Sequence, residues 1–173
     1  MDEERSLNLL GALALSIVDA LNAVVTANTG GGETPAALVT LGAEPGLSIN
    51  ELRQILNLSH PGTVRLIDRL ETQGLVERRA GTDGRTLALF LTEAGFERRR
   101  AILAERRQQL QVAVQSLSAA ERKQLTKLLE KMLAAMTTDE LRAYAICRLC
   151  EEEVCPGDRC PVEQQYCRLV ESD

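Results

Sequence analysis

The 173-residue, 18.9 kDa chain is long enough for one ordinary domain with a real core plus an appendage, and too short for two large domains. With 45% hydrophobic and 26% charged residues it is not wholesale disordered, and with aromatics at 2% (Phe90, Phe96, Tyr144, Tyr166) it has almost nothing with which to stack nucleic-acid bases. The formal charge of −5 resides in the tail: from Asp139 onward nine acids face four arginines, whereas the rest carries sixteen charges of each sign.

Residues 6–27 predict a helix with apolar side chains on nearly every side, among them Leu7, Leu10, Leu13, Ile17, Val18, Leu21, Val24 and Val25, so it must be buried against more than one partner. The stretch Asn28-Thr29-Gly30-Gly31-Gly32 ends it. Thr34-Pro35 then has the form of a cap followed by proline at the first helical position, opening a short helix over 35–43. Ser48-Ile49-Asn50-Glu51 is a capping box for a helix of about two turns carrying Leu52, Ile55 and Leu56. A turn at Asn57-Leu58-Ser59 leads to a further helix from His60 to Gln73, closed by Gly74. Two short helices joined this tightly form a helix-turn-helix. In the second, Val64, Ile67 and Leu70 are expected to face the core, leaving Gly62, Arg65 and Arg69 on the opposite face.

Residues 75–79 and 86–91 are strand candidates flanking Gly81-Thr82-Asp83-Gly84-Arg85, which makes a hairpin, and a hairpin after a helix-turn-helix is a wing. Thr92 caps a long helix over 93–116, with Phe96, Leu103, Leu110 and Leu117 recurring every seven residues as a narrow seam. Ser118-Ala119-Ala120-Glu121 is a second capping box, before a broad stripe of Leu125, Leu128, Leu129, Met132, Leu133 and Met136. Thr137-Thr138-Asp139-Glu140 is a third, starting a last helix that runs into the cysteines.

Residues 48–95, SINELRQILNLSHPGTVRLIDRLETQGLVERRAGTDGRTLALFLTEAG, resemble the winged helix-turn-helix of the MarR family of bacterial transcriptional regulators. The correspondence takes in a leading helix, a recognition helix ending DRLE, a GLVER strand, a D-x-R wing tip and an LTEAG entry to the long helix. With the flanking helices it spans about residues 5–136. The resemblance implies a mainly helical fold with a small hairpin wing, non-enzymatic function, and a homodimer built from the N- and C-terminal helices that places one recognition helix per subunit in a major groove of double-stranded DNA. The apolar excess of the first helix and of the Leu125–Met136 stripe independently asks for an intermolecular helical layer. The expected division is an N-terminal dimerisation helix and linker over 1–32, a DNA-binding domain over 33–91, long dimerisation helices over 92–146 and a cysteine-rich tail over 147–173.

On this reading Arg65 and Arg69 are candidate base or phosphate contacts, the alternative being a solvated face with pairs such as Arg65 to Asp68. His60, Gly62 and Thr63 lie near a helix N-terminus suited to a phosphate. The resemblance gives Arg85 to the minor groove with Asp83 holding the wing loop, and Arg78 and Arg79 stand at the wing's base. Residues 48–91 hold six arginines against five acids, so affinity must come from placed contacts and fall with salt.

All five cysteines lie at positions 147, 150, 155, 160 and 167. Cys147-x2-Cys150-x4-Cys155-x4-Cys160 is a compact set of four thiols, with Cys167 as a substitute ligand. Its spacing equals that of a retroviral-type zinc knuckle, but that motif's histidine, aromatic and glycine positions are missing. Three fates stay open: structural zinc, an iron–sulfur cluster (Cys155-Pro156 and Cys160-Pro161 resemble the Cys-Pro after many such ligands), or reduced thiols, without any cofactor, that serve as an oxidation switch or do nothing. A thiol–disulfide enzyme built on Cys147-Arg148-Leu149-Cys150 lacks the βαβ setting such motifs occupy.

The functional expectation is a repressor acting as a homodimer on a near-palindromic operator, released by a small-molecule effector or by a redox or metal signal at the tail. The alternative is a metal-binding or thiol-based interaction protein that keeps the fold without operator binding. The Met-Asp-Glu-Glu start lacks a basic signal region and no apolar stretch spans a membrane, so a cytoplasmic location is expected, where thiols stay reduced.

Overall fold

The computed structural model describes residues 2–29, 32–81 and 87–172, the side chains of 23–29 and 172 excepted. Among these, eight helices and one two-stranded antiparallel sheet follow in the order α1 (Asp2–Thr29), α2 (Thr34–Ala43), α3 (Ile49–Ile55), α4 (His60–Thr72), β1 (Val76–Ala80), β2 (Leu87–Leu91), α5 (Glu93–Val114), α6 (Ala119–Ala135), α7 (Glu140–Cys147) and α8 (Pro161–Ser172). The fold is mainly helical with a hairpin wing.

The centre of the core is the short α2, not α1. Ala36, Ala37, Leu38, Val39 and Leu41 are all buried, and α2 packs against α1, α5 and β2. Glu33 is the residue before this helix and makes no side-chain cap; Thr34 is instead buried inside its first turn, where its hydroxyl accepts a hydrogen bond from Arg69. Thr34 therefore serves tertiary packing in place of the capping role expected of it.

α3 and α4 form the helix-turn-helix. The capping box forms as expected, Glu51 donating its amide to Ser48 Oγ at 3.2 Å and Ser48 its amide to Glu51 Oε2 at 2.7 Å. Asn57 takes φ 52° in the turn, and Ser59 caps α4 by accepting from the Gly62 amide. The buried face of α4 is Thr63, Leu66, Ile67 and Leu70, which is i, i+3, i+4, i+7. Ile67 and Leu70 face the core as expected, whereas Val64 is only half-buried.

β1 and β2 pair from Val76 with Leu91 to Ala80 with Leu87. The loop before α3 extends this sheet: Leu89 donates to Leu47 O and Gly46 to Leu89 O, each at 2.9 Å. The junction from wing to α5 is equally tight. Thr92 Oγ1 donates to Gly74 O at 2.6 Å and accepts from the Gly95 amide at 3.0 Å, and Thr92 N donates to Leu75 O. A Cβ on Gly95 would lie 2.1 Å from Leu75 O, so only glycine lets α5 start this close to the end of the α4 segment.

α6 has no buried residue, although Ser118 and Glu121 form the expected capping box. Leu128, Leu129, Met132 and Met136 are exposed in the single chain, as are Leu7, Leu10, Leu13 and Val18 of α1. The third expected box is replaced by a simpler arrangement: Thr137 is buried with its hydroxyl on Leu133 O, and Asp139 caps α7 by accepting from Arg142. α8 was not expected; it packs on α6 and α7 around a small second core of Ala143, Cys160 and Val162. Among the described residues no helix is long and apolar enough to cross a membrane.

Candidate functional site

The outer face of α4 presents His60 and Arg65, both exposed. Among the described residues Arg65 forms no ion pair, because Asp68, its expected intrahelical partner, is taken at 2.6 Å by Arg78 of the wing. Arg78 also pairs with Glu71, so it clasps β1 to the exposed edge of α4. Arg69, also exposed, donates to Thr34 Oγ1 at 3.0 Å. The Thr63 side chain is fully buried and donates to Ser59 O. The Gly62 amide is occupied by the Ser59 cap. Arg79 lies over the Phe90 ring, 4.7 Å from its centroid, and pairs with Glu77. Asp83 and Arg85 lie outside the described residues.

The thiols form a second constellation. Cys147 and Cys155 pack against the small core of Ala143, Cys160 and Val162, and these three cysteines line, with Cys150, a cavity of about 340 Å³ between α2, α7 and α8. Cys150 is driven toward the thiolate, first by the hydrogen bond that Cys147 donates to it and, against the opposing effect of burial, by the Arg106 charge. Cys147 is correspondingly held protonated. Cys155 is pushed up to about 11 by burial and then by Cys160. Cys167 is exposed, 3.9 Å from Glu163 Oε1, and stands apart from the four. Among the described residues no group of three or more His, Cys, Asp or Glu side chains is placed to hold a metal ion.

The cavity is also lined by Thr40, Tyr144 and four carboxylates, Glu44, Glu140, Glu152 and Glu163. Glu44 is raised above the ordinary carboxylate range by burial and then by Glu152 and Glu163. Thr40 Oγ1 is buried with no hydrogen-bond partner among the described residues. The segment between α7 and α8 is held to α5 by two ion pairs, Glu152 to Arg99 at 3.0 Å and Glu151 to Arg107 at 2.6 Å. Nothing in local spacing marks Arg99 or Arg107 as partners of residues about fifty positions away, and the sequence reading missed both.

The winged region has clear relatives. The MarR family profile matches residues 34–86. The chain is 36% identical over 103 residues to the transcriptional repressor MprA of Escherichia coli K12, covering 58% of each chain. It spans about 58% of the length of that curated relative. Among solved structures, a MarR family protein from Bacillus stearothermophilus superposes with a TM-score of 0.72 at 24% identity, covering 79% of this chain and 96% of that one. A MarR family regulator from Silicibacter pomeroyi gives 0.59 at 26%, covering 79% and 92%. Residues 34–86 thus match the MarR family, and the fold resembles that of solved MarR family proteins.

That family is one of transcriptional regulators rather than enzymes. α3, α4 and β1 lie within the residues that the MarR profile matches, and the thiol cluster lies outside them. The tail nevertheless contacts the MarR domain: α7 packs against α3, and Tyr144 and Leu149 pack on the main core.

Proposed function

We propose that the protein is a homodimeric transcriptional repressor that inserts α4 of each subunit into a major groove of a near-palindromic operator. The observation that carries this reading is the exposed α4 face bearing His60 and Arg65, the latter without an ion pair among the described residues, in a region that matches the MarR family. Arg65 reads a base edge or a phosphate, His60 and Arg79 add backbone contacts, and Arg85 serves the minor groove. Arg69 and Arg78 brace α4, through Thr34 and through Asp68 and Glu71. The exposed apolar faces of α1 and α6 support a two-chain helical layer, since a monomer does not leave so many leucines and methionines in water.

The releasing signal, on this reading, enters at the cavity shared by α2, α7 and α8. Its unpartnered Thr40 hydroxyl suits a small effector with one polar group on an apolar body. The test is fluorescence anisotropy of the full chain on DNA from around its own gene, with sedimentation to count subunits. Saturable binding of two chains per site that weakens with salt is expected; a monomer without site preference would overturn the reading.

A further inference from the structure

We propose that the cavity between α2, α7 and α8 binds a small organic cation, a protonated amine on an apolar body, with its charge at a mouth of carboxylates and its body against a buried floor. The proposal rests on the reading of this cavity as the effector site and names the chemical class of that effector.

Charge and apolar surface are separated by depth. Glu44, Glu140 and Glu163 line the cavity and are exposed, whereas Val39, Ala143 and Val162 line it and are buried. Among the described residues none of these three carboxylates forms an ion pair, while the fourth, Glu152, is taken by Arg99. Arg148, which also lines the cavity, donates back to the Ala145 carbonyl. Glu44 is held above the ordinary carboxylate range by partial burial and then by Glu152 and Glu163, so a positive charge set among them relieves a like-charge repulsion.

An independent feature lies deeper. Thr40, at 4% exposure, lines the same cavity with a hydroxyl that has no hydrogen-bond partner among the described residues. It stands four residues before Glu44 and so on the same side of α2. A buried hydroxyl left unmet costs free energy that a polar atom of a ligand recovers. Tyrosine rings attract ammonium groups through their electron-rich faces, and both tyrosines of the chain, Tyr144 and Tyr166, line this cavity.

A bare metal ion does not fit, because no group of three or more His, Cys, Asp or Glu among the described residues is placed to hold one. A larger ammonium ion needs no closed shell of donors, and a volume of about 340 Å³ falls among small-molecule sites. Two walls, α7 and α8, lie outside the residues that match the MarR profile, so the tail itself builds the site onto α2.

Calorimetric titration of the full chain without DNA tests this, with a matched series of phenethylamine, phenethyl alcohol and phenylacetate. Expected is one saturable amine site per chain, at least about tenfold tighter than for the alcohol or the carboxylate and weakening with salt. Glu44→Gln with Glu163→Gln, both at exposed positions, lowers amine affinity about fivefold or more. Glu153→Gln, an exposed tail carboxylate outside the lining, leaves it unchanged. The proposal is overturned by an alcohol or carboxylate that binds as tightly as the amine, by unchanged amine affinity in the double variant, or by no saturable amine binding at millimolar concentration. Operator affinity is measured on the ligand-free chain, so failure of the cation site is distinguishable from failure of the repressor reading. Amine binding that leaves operator affinity unchanged overturns the effector reading and upholds the cation site.

Discussion

Arg99 of α5 reaches Glu152 of the tail at 3.0 Å while its aliphatic stem lies over Gly42 of α2, so one side chain joins the long helix, the central helix and the cysteine segment. The pair is unevenly buried, with Arg99 at 14% and Glu152 at 52% side-chain exposure, which keeps its contribution to global stability under about 1 kcal/mol. Glu152→Gln is therefore expected to leave the melting temperature nearly unchanged and to speed amide exchange over residues 148–160. Unchanged exchange in that segment would show that the ion pair does not hold it.

Arg65 and Arg69 are four residues apart yet have different surroundings, which separates binding from folding. Arg65→Ala is expected to weaken operator binding by about 1–3 kcal/mol, roughly 5- to 150-fold, with no change in melting temperature. Arg69→Ala removes the bond to Thr34 and costs about 1 kcal/mol of stability, read by denaturant titration.

The start of α5 has no room for a side chain. Gly95→Ala drives a methyl against the Leu75 carbonyl and must open the junction between α4, the wing and α5. A loss of about 1–3 kcal/mol is expected. The same substitution at Gly11, where nothing lies within 4 Å, serves as the neutral control.

At the α3 cap the Glu51 carboxyl sits below its ordinary value because it accepts from the Ser48 backbone and side chain. A carboxylate held low in the folded state contributes above its unfolded value and loses that contribution as pH falls through its folded value. Glu51→Gln is expected to flatten the acid side of the stability curve, and Ser48→Ala to cost about 1 kcal/mol at neutral pH.

The dimer layer is tested on α6. Leu129→Glu with Met132→Glu places charges on a face with no buried residue in the single chain, so the monomer fold is expected to survive while sedimentation shifts toward one chain. A dimer that persists would place the subunit contact elsewhere.

Local signals carried most of the fold. The Ser48–Glu51 and Ser118–Glu121 boxes, Gly74 with φ 69° after α4, and the strands around the wing stand where the sequence places them. Burial was harder to read wherever a polar residue faced inward: Thr63 and Thr34 are buried hydroxyls, and on α4 Thr63 and Leu66 are buried where Val64 was expected beside Ile67 and Leu70. α8 has only a weak sequence signal, the spacing of Val162, Tyr166 and Leu169 after Cys160-Pro161. The thiol set was visible in its spacing. The Glu44 and Thr40 wall and the Arg99 and Arg107 anchors were not, since tertiary packing joins them across long separations with no periodic trace.

The central claim is recognition of DNA through α4. Its most direct measurement compares operator affinity of the wild-type dimer and Arg65→Ala at one fixed salt concentration, with a scrambled duplex of equal length. The account predicts tight binding to the operator alone and a loss of about tenfold or more in the variant. Equal affinity of the two proteins, or equal affinity for both duplexes, would contradict it.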